Sequence, residues 1–64
     1  MNIFEIEQIA VMKAALEQAA RDVQPDTATQ ALMAERILQS AAKGVRSEEE
    51  FRAVAIDAAR VKAA

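Results

Sequence analysis

This chain has 64 residues, with ten acidic and eight basic side chains, a formal net charge of −2, and neither cysteine nor histidine. A chain of this length allows one domain with a thin core, since it buries only about 60% of the surface that its unfolded form exposes. The composition excludes disulfides and a structural zinc site, which leaves self-association as the means of reinforcing the fold. The mixed charges provide no strong field for nucleic acid or for an anionic membrane.

Targeting and membrane signals are missing from the sequence. There is no basic, apolar leader followed by a small-residue cleavage site. No apolar run approaches the ~20 residues that a membrane-spanning helix needs. We therefore expect a cytoplasmic protein with no membrane partner.

Three helix-breaking or helix-capping signals divide the chain: the turn at 24–27, the single Gly44, and the Ser-Glu-Glu-Glu run at 47–50. Each intervening segment has the apolar spacing of an amphipathic helix. Sixteen alanines favour helix throughout but bury little area each, so we expect weak packing and self-association. The sequence predicts an all-α, three-helix bundle that self-associates and contains no strand, with helices near 2–22, 26–43 and 47–62.

The first predicted helix carries two apolar stripes. Asn2 and Glu5 have the spacing of a capping box at its start. The broader stripe is predicted to face the core, and it comprises Ile6, Ile9, Met12, Leu16, Ala19, Ala20 and Val23. Phe4, Val11 and Ala15 project the other way, at spacings that keep them in register. We predict that this second stripe contacts a partner. The alternative is an ordinary solvent face with a few apolar residues.

The second predicted helix follows Pro25, which cannot continue the first one. Thr27 and Gln30 form a predicted capping box, and a start at Pro25 and Asp26 is the alternative. Its predicted core face has small side chains that allow close helix contact: Ala31, Ala34, Ile37, Leu38, Ala41 and Ala42. Leu32 and Met33 flank this face, and Leu32 is a further candidate partner contact.

The end of the second helix has a clear signal. Gly44 favours the left-handed conformation that commonly terminates a helix, and Lys43 suits the negative end of the helix dipole. Val45 is then expected to fold back against the helix end as its apolar partner.

The third predicted helix begins with a capping box formed by Ser47 and Glu50. The acidic side chains at 48–50 suit the positive end of the helix dipole. They do not suggest a metal site, because consecutive helical residues point in different directions. The predicted core face comprises Phe51, Val54, Ala55, Ala58 and Val61, with Phe51 at its centre.

On the opposite side of this helix, Arg52, Ile56 and Arg60 are spaced four residues apart. Such a strip would fit a partner that carries carboxylates around an apolar side chain. The alternative is a solvated face with one exposed isoleucine.

Catalysis is not expected from these residues. The absence of histidine and cysteine removes the usual neutral-pH base, the thiolate nucleophile and nearly every transition-metal site. Ser40 and Ser47 have no histidine base, and Gly44 alone cannot build a phosphate-binding loop. The sequence predicts no enzyme activity, no cofactor and no metal.

The favoured function is a small cytoplasmic protein–protein interaction module, an adaptor or a regulatory subunit. The expected partners are another protein and a second copy, which would form a homodimer through Phe4, Val11 and Ala15, joined by Leu32 or Ile56. One alternative is a small phage- or plasmid-encoded inhibitor of a larger protein complex, which would use the same kind of surface.

A second alternative is a DNA-associated regulator of the helix-turn-helix type. It depends on a basic strip that consists of Arg46, Arg52, Arg60 and Lys62. The acidic residues 48–50 would meet phosphates at the start of a recognition helix, so nucleic acid is not the expected partner.

Overall fold

The computed structural model describes residues 5–63, with the side chains of 5–62. Within that part of the chain there are three α-helices and no strand, which confirms the predicted all-α three-helix bundle. The helices are α1 (Ile6–Val23), α2 (Thr27–Ala42) and α3 (Glu48–Ala63). The bundle is elongated, with principal extents of 36 × 18 × 18 Å.

The start of α1 differs from the prediction. Glu5 is extended, with φ −73° and ψ 157°, and it precedes the helix without making a side-chain cap. The predicted capping box is therefore wrong at Glu5, because that residue cannot also be the third residue of a helix that begins at Asn2. Asn2 lies outside the described residues. The helix ends at Val23, where Gln24 turns left-handed before Pro25, as the proline predicts.

The cap of α2 is Asp26. Its Oδ1 accepts a hydrogen bond of 2.8 Å from the backbone N–H of Thr29. Because Asp26 occupies the cap position, Thr27 is the first helical residue, and the predicted box of Thr27 with Gln30 is wrong.

The connection from α2 to α3 follows the prediction closely. Gly44 has φ 111°, its N–H donates to the Ala41 carbonyl at 3.1 Å, and the Val45 N–H donates to the Ser40 carbonyl at 3.0 Å. This is the Schellman pair of hydrogen bonds. Val45 packs against the core, as expected of the apolar residue in such a cap. At the start of α3, the Ser47 hydroxyl accepts a long hydrogen bond of 3.5 Å from the Glu50 N–H, which confirms Ser47 as the cap.

The core lies mainly along α3, because α1 and α2 each pack extensively on α3 and touch one another far less. Six of its ten buried residues are alanine, so the helices approach closely where they meet. The buried residues are Met12, Ala15, Ala19, Met33, Ile37, Ala41, Phe51, Ala55, Ala58 and Ala59.

The predicted facing of α3 is largely confirmed. Phe51, Ala55 and Ala58 are buried, while Val54 is half-buried. Val61 is 66% exposed, which corrects its assignment to the core. Val61 lies with Val54 along an open depression between α2 and α3 and is not packed in the core.

Candidate protein-interaction surface

An open apolar groove runs between α1 and α2, on the side away from α3. Its volume is about 370 Å³, and its single charged lining residue is Lys13. The lining residues are Ile9, Met12, Lys13, Leu16, Ala34, Ile37 and Leu38. We call this surface the α1–α2 groove.

The groove exists because α1 and α2 are held apart by α3. The connection at 24–26 is short, so the two helices run antiparallel as chain neighbours. On α1 the small residues Ala15 and Ala19 are fully buried, and Ile9 and Leu38 are left half exposed along the gap between the two helices. Ile9 is 47% exposed and Leu38 is 49% exposed, while Ile6 beside them is 82% exposed.

The predicted core face of α1 is therefore wrong in part. Ile6 and Ile9 were expected inside and are exposed, while Ala15, expected outside, is fully buried. Helix α3 packs against the alanine side of α1, because its own alanines can come close there. Met12 of the predicted core face is buried as expected, and Leu16 is half-buried against the core. Of the larger residues of that face, Ile6 and Ile9 are the exposed ones.

The predicted core face of α2 is also rotated. Ile37 and Ala41 are buried as expected, but Met33, expected at the periphery, is fully buried. Leu38 is half exposed, and Ala31 and Ala42 are exposed. The buried side of α2 follows Met33, Ile37 and Ala41, which recur every four residues and point toward α3.

The structure separates the residues of the predicted dimer stripe. Val11 is half-buried and packs against the core, and Ala15 is buried, so a stripe exposed along α1 through these two residues is wrong. Phe4 lies outside the described residues. The large apolar residues that α1 does expose are Ile6 and Ile9.

The remaining predicted site residues lie around α3. Leu32 and Ile56 are half-buried against the core, so Ile56 is not the free apolar side chain expected between two arginines. Arg52 and Arg60 are exposed, in agreement with their predicted positions. These residues do not join the α1–α2 groove.

The basic strip is broken at Arg46. Its guanidinium donates to the Ala41 carbonyl at 3.0 Å and to the Val45 carbonyl at 2.8 Å, so it covers the carboxyl end of α2. Arg60 and Lys62 instead border a shallow depression beside Asp26. Hydrogen bonding by the hydroxyl and the backbone N–H of Thr29 lowers the pKa of the Asp26 carboxyl, with a smaller contribution from the Lys62 charge.

The other depressions are more polar than the α1–α2 groove. One lies between α2 and α3 and is bordered by Arg36 and Asp57. Another is bordered by Glu5, Glu7 and Arg46, and near it the Gln8 Nε2 is buried with no hydrogen-bond partner among the described residues.

Within residues 5–63, no three acidic side chains lie close enough together to hold a metal ion. No helix there is long and apolar enough to cross a bilayer.

The sequence did contain a signal for the groove. Lys13 falls within the aliphatic stripe of α1, between Ile9 and Leu16. A lysine is almost never fully buried without a partner, so its position indicates a surface that is not closed within the chain.

Comparison with protein-family models, with curated proteins and with solved structures found no match.

Proposed function

We propose that this chain is a small protein–protein interaction module, an adaptor or a regulatory subunit, that binds a protein through the α1–α2 groove. The observation that supports the proposal is the exposure of Ile9 and Leu38 in the lining of the groove, with Ile6 exposed one turn before Ile9 on α1. Single exposed aliphatic residues are ordinary, but a continuous apolar surface with a polar border is typical of a binding site.

The shape of the groove favours a helical partner. It runs along two helices, is open to solvent, and offers aliphatic side chains at helical spacing. Apart from Lys13, its lining has no side chain that could orient a small polar ligand. We propose the cytoplasm as the location of this binding, in line with the cysteine-free composition.

An inhibitor of a larger complex remains a second form of the same proposal. An adaptor and an inhibitor would both use an apolar helical surface, and the identity of the bound protein distinguishes them.

Site-specific cross-linking tests the proposal. A photoreactive residue at position 38 lies in the groove, and one at position 61 on α3 is the matched control, because both native residues are exposed aliphatics. We expect irradiation of expressing cells to link position 38, and not position 61, to a defined protein identified by mass spectrometry. Ile9→Lys should abolish the link. A groove that links to no protein, or links no better than position 61, would contradict the proposal.

A further inference from the structure

The spacing of the groove residues is that of a helix-bundle core. On α1, Ile9, Lys13 and Leu16 of the groove, continued by Ile6 and Ala20 at its two ends, recur at alternating intervals of three and four. On α2, Ala34 and Leu38 of the groove have the same spacing, with Ala31 one turn before them. This pattern places side chains in the seam between four helices that pack side by side. One protomer supplies only two helices to such a seam.

We propose that a second copy of this chain covers the α1–α2 groove. Two protomers then form a four-helix core from α1 and α2 of each, with both copies of α3 on the outside. This inference rests on the proposed function, since it names the partner that the groove binds. It differs from the predicted homodimer, which used Phe4, Val11 and Ala15.

The width of the exposed surface favours a second copy over a single helix. A helix with its side chains is only about 10–12 Å across, so it would fill the floor of the groove. Ile6, one turn before the groove lining on α1, and Leu38 on α2 would stay partly in water. Two helices from a second copy cover both sides of the groove at once, because each of α1 and α2 then packs against a helix of the other protomer.

The area is sufficient for a specific dimer of modest affinity. The 18 residues of α1 span about 27 Å, and the bundle is 18 Å wide. The outline of this side of the bundle is therefore roughly 500 Å², and a dimer that covers all of it on both protomers buries about 1,000 Å², near the lower limit for specific interfaces. We expect a dissociation constant in the micromolar range.

The charges beside the groove suit a two-fold axis that runs parallel to the helices. Such an axis places α1 of one protomer against the antiparallel α2 of the other. Lys13, beside Ile9, then comes near the partner subunit's Glu35, which follows Ala34 of the groove. Both native residues are exposed in the single chain. An axis that placed α1 against its own copy would instead bring two Lys13 side chains together.

Sedimentation equilibrium tests the dimer. At concentrations above the dissociation constant, we expect twice the chain mass of 6.9 kDa. Ile9→Lys and Leu38→Lys should each raise the dissociation constant by about 100-fold or more, because the charge would be buried in an apolar seam. Val61→Lys, which changes an equally accessible aliphatic residue outside the groove, should not.

Circular dichroism of each variant shows whether it is still helical. A parent that keeps the mass of one chain at about 1 mM would overturn the dimer, since even weak specific pairing is detectable there. Equal effects of Leu38→Lys and Val61→Lys would also overturn it.

A charge exchange tests the two-fold arrangement. Lys13→Glu and Glu35→Lys should each weaken the dimer by placing like charges together, and the double variant should recover most of the parent's affinity. A double variant that is weaker than both single variants would overturn this arrangement.

Cross-linking at position 38 separates the two proposals. Linkage to a second copy supports both the dimer and the interaction function. Linkage only to a different protein supports the interaction function and overturns the dimer. No linkage at all overturns both.

Discussion

Phe51 is the largest fully buried side chain of the described residues, at the start of α3. Its neighbours in the core are mostly alanines, which have no rotatable side chain with which to fill a vacated space. Phe51→Ala should therefore lower the free energy of unfolding by about 3–5 kcal/mol, a large part of the stability of a domain this small. Urea denaturation followed by circular dichroism measures the loss.

Val61→Ala is the control for Phe51→Ala, since Val61 lies on the same helix and is 66% exposed. Its effect should stay within about 0.5 kcal/mol. Similar losses of free energy of unfolding for the two variants would show that Phe51 contributes no more to stability than the exposed Val61.

The backbone conformation at position 44 requires glycine, although there is room for a larger side chain. A methyl group at this position would meet no atom within 4 Å, but φ is 111°. A residue with a side chain is strained at such an angle, so Gly44→Ala should lower stability by about 1–2 kcal/mol. Thermal unfolding measures the effect, and an unchanged melting temperature would contradict it.

Gln24 is the opposite case, because a residue with a side chain already occupies a left-handed position, at φ 47°. Gln24→Gly should relieve this strain at the end of α1. The gain is partly offset by the greater freedom of glycine in the unfolded chain, so we expect an increase of up to about 1 kcal/mol. A decrease in the melting temperature would contradict this assignment.

These residue-scale features differ in how far the sequence predicts them. The turn at Gly44 and the cap at Ser47 depend on residues within one turn of the chain, and both are confirmed. The cap at Asp26 is also local, but Thr27 next to it has the same preference, so the sequence does not choose between them. Local chemistry therefore places most boundaries to within one or two residues.

At the scale of the helix, Asp26 links the stability of α2 to pH. Hydrogen bonding by Thr29 lowers its pKa below the ordinary value of 3.8. The folded state thus favours the charged carboxylate. The added stability is complete above the unfolded pKa and is lost as the pH falls through the folded pKa. We expect the melting temperature to decline below about pH 4 partly for this reason.

Asp26→Asn is the matched variant for this pH effect. Asparagine caps a helix about as well as aspartate but does not titrate. The variant should keep most of the parent's stability at pH 7 and lose less of it on acidification. If parent and variant decline equally between pH 5 and pH 2, Asp26 does not contribute to the acid sensitivity.

The sequence does not determine which side of α1 faces the core. Two stripes of α1 are apolar, one with Ile6 and Ile9 and one with Val11 and Ala15. Periodicity identifies both and favours the larger side chains as core. The structure buries Met12 and Ala19 of the first stripe as predicted, but it also buries Ala15 of the second, since small residues on both helices allow the closest approach. Which residues of α1 are buried depends on α3, which is far away in sequence. The position of the candidate site depends on α3 for the same reason.

For the whole molecule, the proposed dimer makes stability depend on concentration. Subunit binding stabilises the folded state by mass action, so the melting temperature should rise steadily as the protein is concentrated from about 1 µM to about 1 mM. The Leu38→Lys variant should show little of this rise. A parent whose melting temperature is constant over this range would contradict coupling between folding and pairing.

The limited contact between α1 and α2 also affects the order in which the bundle folds. Both helices leave the ribosome before α3, yet most of their tertiary contacts are made with α3. Early in synthesis they have little to hold them to one another, and most of the stability of a helix in a protein comes from tertiary packing. The bundle then assembles around its last helix, and the contacts of α1 with α3 join distant parts of the chain. Its folding should be slower than that of a bundle in which each helix packs mainly on the one before it.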